Sequence, residues 1–179
     1  MTPDPIKLAD ALPDPWLRGP VEGMSDALQP VAHAFIAARE DVAAAIGGLN
    51  AAQLWARPGG AASIGFHLMH LAGATDRLLT YARGAALDDR QTAALAAERT
   101  PPEPRPTAGE LLKAWEAAVA RALTQIGETP DGELGTARFV GRARLPSTVR
   151  GLLCHAAEHA ARHAGQIITT ARIVRAFDL

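Results

Sequence analysis

The sequence predicts an all-α fold, a four-helix bundle with short extra helices and an extended N-terminal arm. Three observations lead there. Four long segments carry apolar residues at alternating spacings of three and four, the mark of a helix with one buried face. Glycine and proline clusters fall between those segments and not within them. Apolar residues make up 48% of the chain but aromatic ones only 4%, so the core is built from Ala, Leu, Ile and Val, of which alanine is the strongest helix former.

The elements follow in order. Residues 1–23 hold Pro3, Pro5, Pro13, Pro15 and Pro20. Proline removes backbone donors and disfavours helix before it, so this arm reads as extended, with Ile6, Leu8, Trp16 and Leu17 packing on the body. The helical domain spans 24–179. Its first helix runs from about Met24 to Ile46, with Leu28, Val31, Phe35, Ala38, Val42 and Ile46 on one stripe. Pro30 sits near its start, where proline does least harm. Gly47-Gly48 stops it. Asn50 caps a short helix holding Leu54 and Trp55, which Pro58-Gly59-Gly60 ends. Ser63 caps a second long helix to about Arg83, followed by Gly84. Asp88–Glu98 reads as a short helix. Residues 100–106, with Pro101, Pro102, Pro104 and Pro106, read as a surface linker. Thr107 and Glu110 form a capping box opening a third helix to Ile126. Its stripe is Leu111, Leu112, Trp115, Val119, Ala122, Leu123 and Ile126. Residues 128–146 carry three glycines and two prolines and read as a loop or small hairpin. Ser147 is expected to cap the last and longest helix, about Thr148 to Ala176.

Length and charge narrow the function. The 179 residues suit one domain. A net charge of −1 gives no electrostatic reason to expect nucleic-acid binding. Arg138, Arg142, Arg144 and Arg150 form a basic cluster, read either as a solvated hairpin or as an anion or partner contact. The single cysteine, Cys154, excludes an intrachain disulfide and fits a reducing cytoplasm. By its position it reads as a small buried apolar residue. The first residues do not resemble a secretory signal, and no apolar stretch is long enough to span a bilayer. A cytoplasmic protein with no membrane partner is expected.

All six histidines fall on predicted helices: His33 on the first, His67 and His70 on the second, His155, His159 and His163 on the fourth. Residues four apart differ by about 40° around a helix and about 6 Å along it. Neighbours in the series 155–159–163 therefore aim two imidazoles at one point. Such a pair is half of many metal sites, because neutral imidazole is a good donor to zinc, nickel, copper or iron. A third ligand from the second helix, His67 or His70, would complete three protein ligands with an open position, the arrangement of catalytic zinc. The helical wheel of Ile64, Leu68, Leu71, Thr75 and Leu78 puts His67 nearer the apolar centre than His70. Glu158 stands out as a residue able to orient a ligand or act as a base. Arg77 and Tyr81 read as pocket residues, Gly165 as a close-packing position and Gln166 as a hydrogen-bonding residue within the bundle.

Ser63–Leu71 with Asp76-Arg77, and His155–Ile167 with its His163-Ala164-Gly165-Gln166 ending, resemble the second and last bundle helices of DinB/YfiT-like proteins. The resemblance covers about residues 24–176. It implies a four-helix bundle with a divalent metal held by His70, His159 and His163. Zinc or nickel leads, with manganese or iron as alternatives. His67, His155 and Glu158 are then left as candidates for a catalytic or ligand-orienting role. Arg162 stands where relatives often carry a further histidine. The resemblance also implies a homodimer, and thiol S-transfer as the leading activity, with a low-molecular-weight thiol and an electrophile as partners. A metal-dependent hydrolase and a non-enzymatic metal-binding module are the other readings.

Overall fold

The computed structural model describes residues 12–98, 100 and 102–177. Ile6 and Leu8 of the arm lie outside them. Six helices are present among the described residues: α1 (Gln29–Ile46), α2 (Ala51–Trp55), α3 (Ile64–Ala82), α4 (Asp89–Ala97), α5 (Ala108–Gly127) and α6 (Val149–Ala176). Two short strands, β1 (Ala137–Val140) and β2 (Leu145–Thr148), pair antiparallel, with Ala137 opposite Thr148 and Val140 opposite Leu145.

The four long helices make the bundle. Both α1 and α3 pack against α5 and α6, so the ring runs α1–α6–α3–α5. Helices α3 and α6, far apart in sequence, are thus neighbours, and this pairing builds the site. The predicted stripes face inward. On α1, Leu28, Val31, Phe35, Ala38, Val42 and Ile46 are all buried, and on α5 Leu111, Trp115, Val119, Ala122 and Ile126 are buried. Each fully buried Phe, Leu or Ile contributes about 1.5–3 kcal/mol over its exposed state.

Side-chain caps set most helix starts. Asn50, Asp88 and Thr107 each accept from the backbone N–H three residues on, and Gln53, Gln91 and Glu110 reach back, giving three capping boxes. Ser63 accepts from Phe66 N at 3.2 Å.

Four local expectations need correction. Helix α1 begins at Gln29, not Met24: Pro30 sits in its first turn, and the Gln29 amide ties Val21 and Met24 into a preceding turn. The cap of α6 is Thr148, which accepts from Gly151 N: the helix starts at Val149, one residue later than a Ser147 cap would give. The arm makes a 3-10 turn at Pro15–Leu17, in which Trp16 and Leu17 face solvent and Pro15 is the buried residue. Gly165 has open space around it and both it and Gln166 are exposed, so neither serves packing within the bundle.

The arm is held by polar contacts. Arg18 donates to both carboxylate oxygens of Glu40 at 2.8 and 2.7 Å. His33 Nε2 donates to Gly19 O at 3.0 Å. The linker before α5 is held by Trp55, whose Nε1 donates to Pro106 O. The Trp55 ring lies flat on α3 because residue 65 is glycine: a Cβ there would sit 2.8 Å from the ring.

Candidate metal centre

Helix α3 presents His67 and His70 one turn apart, and α6 presents His159 and His163 at the four-residue spacing. Packing of α3 on α6 brings the four rings together. One nitrogen from each of His70, His159 and His163 lies within 4.8 Å of the others, and the three can hold a metal ion. His70 Nε2 and His159 Nε2 are 3.1 Å apart. Two ligands of a tetrahedral zinc site, with bonds of about 2.0–2.1 Å, stand roughly 3.4 Å apart, so this pair already has the required spacing.

The hydrogen bonds around the cluster fix which nitrogens are free. His70 Nδ1 lies 2.9 Å from Glu98 Oε2. A carboxylate only accepts, so Nδ1 carries a proton and Nε2 is the nitrogen turned to the centre. His67 Nδ1 and His163 Nδ1 are 3.0 Å apart and share one proton. With His163 as donor, its Nε2 is also free. His159 Nδ1 is buried with no partner among the described residues, which leaves that ring free to choose either nitrogen. Phe66 stacks on His70 with centroids 5.7 Å apart and planes 4° off parallel, which limits rotation of the His70 ring.

Burial and crowding favour the neutral form of His67, His159 and His163. Burial, then the nearby His70, His155 and Arg162, lower the pKa of His159 to about 4. Burial, then His159, His70, His67 and Arg162, lower that of His163 to about 4. His67 is also lowered, by burial and His70. Neutral imidazole is the form that binds a metal. Three converging imidazoles, one of them anchored on a carboxylate, therefore fit a divalent ion.

Glu98 is the residue that the helical patterns did not single out. It stands at the C-terminal cap of α4, only 7% exposed. One oxygen takes His70 and the other takes Arg77 Nη1 at 2.6 Å. Burial alone would raise the Glu98 pKa, but the hydrogen bonds from His70 and Arg77 and the Arg77 charge outweigh it and hold the carboxyl below its usual value. Arg77, expected to line a pocket, is instead buried as the partner of Glu98. Gly73 makes room for both: a Cβ there would lie 2.6 Å from Glu98 Oε1 and 2.8 Å from Arg77 Nη1. Helix α4 is pinned by the same face of α3, since Gln91 Nε2 donates to Asp76 Oδ2 at 2.9 Å and Thr80 Oγ1 at 2.8 Å. Two local signals marked this position. A glutamate at a helix C-terminus opposes the macrodipole, and a glycine inside a helix costs about 1 kcal/mol.

The remaining candidates lie away from the centre. His155 and Glu158 are exposed and hydrogen-bond each other at 3.1 Å, and Glu158 also pairs with Arg162. The His155 ring contacts the outer edge of His159, with centroids 5.9 Å apart. Cys154, expected to be buried, is exposed, because it falls on the solvent side of α6 between the inward-facing Leu153 and Ala157. Tyr81 opens on a different cavity of about 890 Å³, between α4 and the hairpin, which none of the histidines lines. The histidine cluster is thus separate from that cavity.

Among the described residues no helix is long and apolar enough to cross a membrane. No curated protein matches the chain. The family model of the DinB superfamily matches residues 34–167, which takes in α3, α4 and the histidines of α6. That match covers more than half of the chain and includes every residue of the candidate centre, and the chain belongs to the DinB superfamily.

Proposed function

We propose that the chain is a metal-dependent transferase that moves a low-molecular-weight thiol onto an electrophile, with one divalent ion, zinc or nickel before manganese or iron, held by His70, His159 and His163. The observation that carries this reading is the convergence of three imidazoles, one of them anchored on a buried carboxylate. Bound there, a divalent ion supplies Lewis-acid chemistry that favours the thiolate, the nucleophilic form of a thiol.

The chain's own residues prepare the site. Glu98 holds the His70 proton on Nδ1, and Arg77 holds Glu98. His67 orients His163. Burial favours the neutral, ligating form of His159 and His163. The thiol loses its proton to solvent, its sulfur bonds to the electrophilic carbon, and the leaving group departs with the electron pair of the bond that breaks.

Transfer is favoured over hydrolysis by the state of the carboxylates. Activating water calls for a base at the centre. Glu98 has both oxygens engaged, and Glu158 points to solvent with Arg162 and His155. A thiol, with a pKa near about 8.5, ionises without such a base. Kinship with the superfamily supports a homodimer, which sedimentation would check, and the single cysteine fits a cytoplasmic location.

The test is a thiol-by-metal screen. Metal-loaded protein is mixed with glutathione, cysteine or coenzyme A and chlorodinitrobenzene, and both reactants are followed. Joint consumption that is lost in His159→Ala is expected. Turnover with no thiol present would point to the hydrolase, and a chelator-sensitive melting temperature with no turnover would point to a binding module.

A further inference from the structure

The hairpin and α4 enclose a half-open cavity of about 890 Å³, within the range of small-molecule sites. Its apolar wall is made by Tyr81 at the end of α3, Leu95 of α4 and Phe139 of β1. Leu95 and Phe139 remain 43% and 45% exposed, so nothing among the described residues covers them. Arg138, Arg142 and Arg144 stand around the same space, and no carboxylate among the described residues lines it.

These arginines differ from several others in the chain. Arg18, Arg77, Arg90 and Arg162 are each paired with a carboxylate. Arg138 instead spends Nε on Ala82 O at 2.8 Å and Nη1 on Ala137 O at 3.1 Å, contacts that fix it in place and leave its charge uncompensated. Arg144 lies 4.4 Å over the Phe139 ring, on a backbone with φ of 49°, a region that L residues seldom adopt. Arg142 has no hydrogen-bonded partner among the described residues. Three uncompensated guanidiniums over an apolar wall complement a molecule with an anionic head and an apolar tail, and guanidinium binds carboxylate and phosphate through paired hydrogen bonds.

We propose that this cavity binds a small amphipathic anion, a carboxylate or phosphate ester whose apolar chain lies on Tyr81, Leu95 and Phe139 and whose head meets Arg142 and Arg144. The site is distinct from the histidine cluster. Tyr81 follows His70 by eleven residues on α3, about 16 Å along the helix axis. It therefore stands whether or not the metal reading holds.

The experiment titrates the full chain calorimetrically with decanoate, decyl phosphate, decanol and decyltrimethylammonium, each below its micelle concentration. Saturable binding of decanoate or decyl phosphate at a single site is expected, with decanol and the cation at least about tenfold weaker. The tighter of the two anions identifies the head group. The double variant Arg142→Gln/Arg144→Gln, altered only in the exposed turn, should keep its helical circular dichroism and bind at least about tenfold more weakly. Phe139→Ala should weaken binding of the same anion through loss of its apolar wall. Absence of saturable binding by either anion, equal binding of decanol, or unchanged affinity in the double variant would overturn the proposal. So would a fall in sedimentation mass for Leu95→Asp when the native chain binds no anion, which would assign this face to a second copy.

Discussion

Glu98 links two buried groups that would each be costly alone. Its carboxylate fixes the His70 tautomer and neutralises Arg77 in a region where neither side chain is far exposed. Partners that orient a ligating histidine typically change metal affinity by about 10–100-fold when lost. Glu98→Gln should therefore weaken metal binding by about that factor, read by competition with a chelating dye. It should also lower stability, because Arg77 is left buried with a neutral partner, a loss of about 1–3 kcal/mol by denaturant unfolding. Gly73→Ala makes a sharper test. On helix propensity alone it should stabilise α3 by about 1 kcal/mol, but its Cβ would meet Glu98 and Arg77 below 3 Å. The expected outcome is a lower melting temperature and weaker metal binding together. A gain in stability with unchanged affinity would show that the Glu98–Arg77 pair does not need that space. The histidines were legible in the sequence because their spacing is helical. Glu98 was not, because its partners lie 28 and 21 residues away and meet it only once α4 folds back on α3.

At the scale of elements, the helices were legible wherever a cap, an apolar stripe and a breaker agreed. Asn50, Ser63, Asp88 and Thr107 each cap the helix they begin. The misplaced ends had rival signals: Ser147 and Thr148 are both capping residues, and the hairpin strand runs through both before the helix starts at Val149. The start of α1 was blurred because residues 24–28 share its apolar spacing without joining the helix. Replacing Thr107 by alanine removes a hydroxyl that serves both the Glu110 N–H and its carboxylate. A loss of about 1 kcal/mol is expected for such a cap, measured by denaturant unfolding, with the metal site unaffected because α5 contributes no ligand. Trp115, fully buried on the same helix, should cost about 3–5 kcal/mol as Trp115→Ala. The choice between His67 and His70 also belongs to this scale. The wheel favoured His67 because it is indeed the more buried, at 6% exposure. His70 lies on the flank, where it reaches both Glu98 on α4 and His159 on α6.

For the whole molecule, the cluster ties stability to pH. His159 and His163 are held at about 4 in the folded chain, against an ordinary 6.5. The unfolded chain then binds more protons through this range, so stability is full above about pH 6.5 and falls as the pH drops toward 4. Glu98, also lowered, adds a loss in the same direction but only below its ordinary 4.5. The melting temperature of metal-free protein should therefore decline between pH 6.5 and 4.5 and decline less in His159→Gln/His163→Gln. An equal decline in both would place the effect elsewhere. The ring of four helices that makes this coupling possible also makes the centre a property of the folded molecule, since α3 and α6 meet only in the assembled bundle. Elemental analysis of purified, metal-loaded protein tests that centre most directly. About one divalent ion per chain is expected in the native protein. The ion should be lost from His70→Ala, His159→Ala and His163→Ala but kept in His155→Ala. No metal in the native chain after incubation with zinc, nickel, manganese and iron salts, or metal retained in all three ligand variants, would contradict the account.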